Sequence, residues 1–252
     1  MTAVQGEVGR IRIFEDFTGG IDNLADTGQP PVDFPPYFQL VGQGMSETDQ
    51  GAIILDSDGL SGVVQLQSTN ESEHCIGLQT AVMFDVGLMG TIVAEARVRF
   101  AALTTKEFFF GFSDVVTDAG ILEGAIAHGA NTTMTLTASD ICGFWLSTEL
   151  TDGTDWHMLY NGGTTTGNVY STDIDADDGA VAGEFQILRL EMDNNGTARW
   201  FIDGVLKQTT ATAVSTTTDL ACQLMVEEKG TTGSCNVDVD YILIEANRDW
   251  TI

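Results

Sequence analysis

The sequence predicts an all-β fold, a two-sheet antiparallel sandwich, and three observations carry that prediction. The stretch Glu184 to Gln208 holds two runs of period-two alternation separated by Asp193-Asn194-Asn195-Gly196. Short alternating runs with turn residues between them recur from Ala52 to Ala246. Helical periodicity and a βαβ rhythm are both missing, which leaves a sandwich as the way to bury so many strands.

In the first run Leu188, Leu190 and Met192 oppose Ile187, Arg189 and Glu191. In the second, Ala198, Trp200 and Ile202 oppose Arg199, Phe201 and Asp203. Asn-Asn-Gly supplies the positive-φ residues of a tight turn, and Asp203-Gly204 supplies a second, so Glu184–Thr209 reads as a three-strand meander.

Taken in order, residues 1–10 form an N-terminal arm, and Ile11–Phe17 is the first strand. Residues 19–51 make a long loop region with all four prolines: Pro30, Pro31, Pro35 and Pro36. Phe34, Tyr37 and Phe38 are interleaved there, and a loop of this length either packs on the surface or contacts a neighbouring subunit. Further strands are expected at Ala52–Asp56, Gly62–Gln67, Cys75–Asp85, Thr91–Phe100, Glu107–Ser113, Ile141–Thr148, Asp155–Tyr160, Gly167–Asp173, Leu220–Glu228 and Cys235–Ala246. Thr91–Phe100 alternates cleanly, with Ile92, Ala94, Ala96, Val98 and Phe100 against Glu95, Arg97 and Arg99. Residues 247–252 form a tail in which Trp250 and Ile252 have no strand to join, so with Phe34, Tyr37 and Phe38 they are candidate partner contacts. The whole of 1–252 is expected to be one domain.

Apolar residues make up 43% of the chain, enough for a substantial core. No apolar run is long enough to span a membrane, and the first residues do not have the form of a secretory signal. The chain is therefore expected to stay where it is made or to leave by lysis or within a particle. Ten Lys and Arg stand against 37 Asp and Glu, a net charge of −27. That balance excludes nucleic acid and anionic membrane surfaces as partners. It suits salty surroundings, a basic partner surface, or solubility alone. The four cysteines have no C-x-x-C spacing, so no zinc site is expected. Cys222 and Cys235 flank an expected hairpin at Lys229–Gly233 and could pair, although four buried free thiols suit a chain without an export signal better.

The motifs "FEDF", "EARVRF", "FFFGFSD", "GFWLST", "RLEMDNNG", "ARWFIDG" and "VDVDYILIEA" follow one another over Ile11–Ala246 in an order that resembles the concanavalin A-like lectin/glucanase superfamily. The resemblance implies a jelly-roll sandwich. The "GFSD" and "FIDG" segments are most similar to the jelly rolls of virion structural proteins of tailed bacteriophages, marine phages among them. It further implies a non-catalytic virion structural protein, made in the host cytoplasm. Its place would be the capsid surface, as a decoration or cementing protein bound to the major capsid protein and, by analogy, a homotrimer. The alternative is a carbohydrate-binding module of a phage fibre or baseplate, or a host-surface adhesin.

Glucanases of this superfamily place their acids as E-x-D-x-E on one strand, because alternate residues face one cleft. Neither Glu107–Asp114 nor Ile141–Thr148 has that pattern, so no enzyme is expected. His74, His128 and His157 stand far apart without a nucleophile beside them, and no phosphate-binding loop or other cofactor motif occurs. Asp173–Gly179 with Glu184 imitates a calcium loop, but Gly179 falls one place late; it reads as a solvated acidic loop, and no metal is assigned. A glycan site needs exposed aromatics. Trp145 and Trp156 are the candidate contacts, with Tyr160 and Tyr170 nearby in sequence, and all four suit a core position equally well.

Overall fold

The computed structural model describes residues 9–18, 37–42, 51–56, 62–68, 74–104, 106–116, 122, 125–130, 133–165, 167, 174–229 and 235–248. The strands among them, in chain order, begin with β1 (Arg10–Glu15), β2 (Gln39–Val41), β3 (Ala52–Leu55), β4 (Val64–Gln67), β5 (Cys75–Gln79) and β6 (Phe84–Asp85). Then come β7 (Ile92–Arg99), β8 (Lys106–Ser113), β9 (Ile126–Ala130), β10 (Thr133–Leu136), β11 (Ile141–Ser147) and β12 (Asp155–Asn161). The last are β13 (Asp175–Gly179), β14 (Phe185–Met192), β15 (Ala198–Ile202), β16 (Val205–Thr210), β17 (Asp219–Glu228) and β18 (Asn236–Asn247).

Two antiparallel sheets stack face to face. The first runs β16-β15-β14-β7-β18-β4-β3, with β1 also against β18. The second runs β13-β12-β11-β8-β17-β5-β2, with β6 against β17, and β9–β10 form a separate hairpin. The expected meander is present, with Leu190 opposite Trp200 and Arg199 opposite Thr209. Gly196 turns it with φ 79°.

Alternation along each strand assigns the faces. Leu188, Leu190, Met192, Ala94, Ala96 and Val98 of the first sheet meet Phe108, Phe110, Phe112, Phe144 and Leu224 of the second in one core. Two indoles fasten the sheets together. Trp200 of β15 donates its Nε1–H to the Gly143 carbonyl of β11 at 3.0 Å. Trp156 of β12 donates to Gln186 Oε1 of β14 at 3.2 Å. Each satisfies a polar atom that burial would otherwise leave costly. Phe100, Phe108 and Phe144 pack around Trp156, mostly edge to face.

The first sheet's outer face is an ion-pair lattice. Arg97 pairs with Asp240, Arg99 with Asp238 and Asp56, and Arg189 with Glu95 and Glu191. Arg199 joins Asp193 and Glu191, and the Tyr241 hydroxyl donates to Glu95. Arg97 and Arg99 also stack over the Phe185 ring, 4.1 and 4.6 Å from its centroid. A bulge between Val239 and Tyr241 brings Asp240 into the lattice.

Several expectations are corrected. Trp145 and Trp156 are wholly buried and Tyr160 nearly so, so none can serve as an exposed platform for a sugar. Phe38 is buried in the core and Tyr37 packs half-buried against it, so Phe38 is not a free partner contact. Phe34, Tyr170, Trp250 and Ile252 lie outside the described residues. The expected hairpin between Cys222 and Cys235 does not form, because β17 and β18 belong to opposite sheets. All four cysteines are free and buried. Burial raises the thiols of Cys142, Cys222 and Cys235, that of Cys235 to about 12. The expected strand Cys75–Asp85 divides into β5 and β6. The strand expected at Gly167–Asp173 lies, apart from Gly167, outside the described residues, and the acidic segment beyond it, expected as a loop, forms β13.

Gly143 sits at a close approach of β11 to β8. A methyl group there would lie 2.5 Å from the Phe110 carbonyl oxygen and 2.7 Å from the Phe109 ring. Gly143→Ala is expected to cost about 1–3 kcal/mol of stability through overpacking, read as a lower denaturant midpoint at unchanged m.

Candidate functional site

The second sheet's face turned away from the core carries a cluster of chemically capable side chains. On β8, inward Phe108, Phe110 and Phe112 leave Glu107, Phe109 and Gly111 pointing outward. Register then sets Ser147, Trp145 and Gly143 of β11 on one side of them and Glu227, Met225 and Gln223 of β17 on the other. His157 of β12 lies beside Trp145, and Asp175 of β13 beside His157.

This face is closed to solvent at its centre. Phe109, Trp145, Met225, His157, Glu107 and Glu227 are each at most 1% exposed. The connection from β8 to β11 is tied onto the face at both ends. Gln223 Nε2 donates to the Val115 carbonyl at 2.6 Å, and Asn161 Nδ2 to the Ala138 carbonyl at 2.9 Å. Leu122, Ile126 and Met134 of that connection are buried.

Burying two glutamates requires compensation. Lys229 supplies it, with Nζ 3.0 Å from Glu107 and 2.8 Å from Glu227. Burial works against the Lys229 charge, but Glu107 and Glu227 outweigh it and hold the ammonium protonated. Trp145 donates its Nε1–H to the other Glu107 oxygen at 2.7 Å, and its ring lies 5.6 Å from that of His157. One polar row thus runs across the sheet from Glu227 through Lys229, Glu107 and Trp145 to His157.

At the rim the row ends in a metal-capable set. One ligand atom each from Asp152, His157 and Asp175 lies within 4.8 Å of the others. His157 Nε2 is 3.5 Å from Asp152 Oδ2. An imidazole with two carboxylates could ligate a divalent cation. Asp155 stands beside them with its carboxyl raised, first by burial and then by Asp175 and Asp152. The calcium-like stretch noted in the sequence is not a loop between helices: Asp175–Gly179 is an edge strand on β12, and Glu184 is exposed beyond it. Asp175 is its one member in the rim set, and the other two ligands come from β12 and the turn before it.

Reading strands one at a time misses the Glu107–Glu227 pair, because its carboxylates come from β8 and β17. Both reach one ammonium, so they lie within about 6 Å of each other, near the separation used in retaining glycoside hydrolysis. Buried and held on Lys229, they lack the open approach that an acid and a nucleophile need. The phenylalanine run at 108–110 is the sequence signal that β8 is covered on both faces.

No protein-family model and no curated protein matches this sequence. Solved structures do. A protein of unknown function from Shewanella oneidensis MR-1 is 12% identical with a TM-score of 0.58, covering 100% of this chain and 92% of its own. Peanut lectin is 12% identical at 0.58, covering 94% and 97%. The Emp47p carbohydrate recognition domain is 11% identical at 0.54, covering 92% and 99%. These likenesses, together with the two stacked sheets, show a concanavalin A-like jelly-roll sandwich, the fold of lectins.

Two outcomes follow. Lys229→Met strands two buried carboxylates and is expected to cost about 3–5 kcal/mol, partly recovered when Glu227→Gln is added, as a double-mutant cycle would read. Asp155 binds its proton more tightly folded than unfolded, so its ionised form costs stability at neutral pH. Asp155→Asn should therefore raise Tm by a few degrees at pH 7, an advantage that fades as the pH falls through the raised folded value.

Proposed function

We propose that this chain is a non-catalytic structural module of a bacteriophage virion, a decoration or cementing protein that binds the outside of the capsid shell. The observation that carries the proposal is that both broad faces are taken up by their own side chains, apart from one corner of the first sheet. The first sheet's face is occupied by its own ion pairs, and the second has its reactive carboxylates buried on Lys229. Contact with a partner then falls to edges and turns. Val205 and Leu206 on edge strand β16, Val82, Met83 and Leu88 around β6, and Val181 between β13 and β14 are the large exposed apolar residues among those described. The net charge of −27 complements a basic shell surface, and the motif order resembles virion jelly rolls. The major capsid protein is the partner this reading names, with a homotrimer as the oligomer.

A second reading, a carbohydrate-binding module of a fibre or baseplate, is supported by the lectin fold and by the cation-capable set at the rim of the second sheet. Quantitative mass spectrometry of density-purified particles separates the two. A copy number close to that of the most abundant virion protein is the expected result. A few per cent of it would favour the fibre or baseplate, and absence from particles would overturn both.

A further inference from the structure

Cations are scarce in this chain, and most are committed. Of its ten Lys and Arg, seven enter ion pairs among the described residues: Arg12, Arg97, Arg99, Arg189, Arg199, Lys207 and Lys229. Lys106 is buried and donates to the Asn236 carbonyl. Arg10 and Arg248 enter no ion pair among the described residues, and both stand at one corner of the first sheet. Arg10 lies opposite Asn247 across β1 and β18, and the Arg248 backbone N–H donates to the Gly9 carbonyl.

A cleft of about 310 Å³ opens at that corner on the first sheet's outer face, with Arg10, Arg12, Thr91, Val93, Glu245 and Asn247 in its lining. Arg10 and Arg12 are two apart on β1, so both guanidinium groups rise from the same side of the strand, and both residues are exposed. Arg12 holds Glu245 with its Nε at 3.1 Å. In a molecule this acidic, a wall of two exposed arginines, one without a carboxylate partner among the described residues, is a local inversion of the surface charge.

The lining narrows what can fit. Guanidinium groups present planar forks that suit a carboxylate. Glu245 in the same wall disfavours a compact anion such as sulfate and favours a ligand that also brings hydroxyl donors. The Thr91 hydroxyl, which donates to Asp193 at 3.4 Å, can still accept, the Asn247 amide adds a donor and an acceptor, and Val93 adds a small apolar surface. The volume falls at the lower end of small-ligand sites, about 300 Å³, which suits a single sugar ring. We infer that this cleft binds the carboxylate-bearing ring of an acidic glycan, a hexuronate, with Arg10 and Arg12 on the carboxylate and Glu245 accepting from a ring hydroxyl. The site is on the opposite sheet from the metal-capable rim and does not depend on where the protein resides.

The test is a titration of the full chain with D-glucuronate, D-glucose and acetate, each to about 50 mM, following backbone amide resonances. Glucuronate should shift Thr91, Val93 and Asn247 with a millimolar-range Kd, weakened by added salt. Glucose should leave them in place. Arg10→Gln should weaken glucuronate by about tenfold, the loss expected for one charge-assisted contact, with the rest of the spectrum unchanged. Acetate should bind at least about tenfold more weakly than glucuronate, since it brings no hydroxyls to Glu245. The inference is overturned if the amides do not move with glucuronate, if glucose or acetate matches it, or if Arg10→Gln binds as the parent does.

Discussion

Strand β8 is covered on both faces, and that constraint organises the molecule. Its inward phenylalanines fill the space between the sheets. Its outward side must also be dry, so Phe109 lies over Gly143 and the β8–β11 connection is tied across the face. Once that side is dry, Glu107 cannot remain a solvated carboxylate. Trp145 and Lys229 answer it, and Lys229 in turn brings in Glu227. An interior ion cluster of this kind adds little net stability compared with an apolar filling, but removing one member leaves the others stranded. It therefore acts to fix the register of β8, β11 and β17 against one another.

The two sheets treat charge in opposite ways. The first spreads arginines and carboxylates over a half-exposed face, where each pair adds little and the lattice works through number and geometry. The second confines a few charges in a dry interior, where each is indispensable. Between them these arrangements take five of the ten Lys and Arg: Arg97, Arg99, Arg189, Arg199 and Lys229.

The sandwich fold and the closed centre of the second sheet's outer face belong together. Fold alone does not decide activity; the groups exposed on it do. Here the tryptophans that suggested a sugar surface serve as structural members. Trp156 and Trp200 join the sheets through hydrogen bonds to Gln186 and Gly143, and Trp145 anchors Glu107.

The sequence by itself determined the class of fold, the meander from Glu184 to Thr209 and the face assignments of β7, β14 and β15. The reason is local: where one face of a strand meets the core and the other meets water or ions, period-two alternation is written into consecutive residues. Strands dry on both faces lose that signal, and the burial of Trp145 and Trp156 was undecidable from their neighbours. Tertiary structure alone decided that β17 and β18 separate into different sheets, that Glu107 meets Glu227 on Lys229, and that Asp175 joins Asp152 and His157. Each of these depends on cross-strand register between segments far apart in the chain. Register is set by the packing of whole faces, which no single stretch of sequence contains.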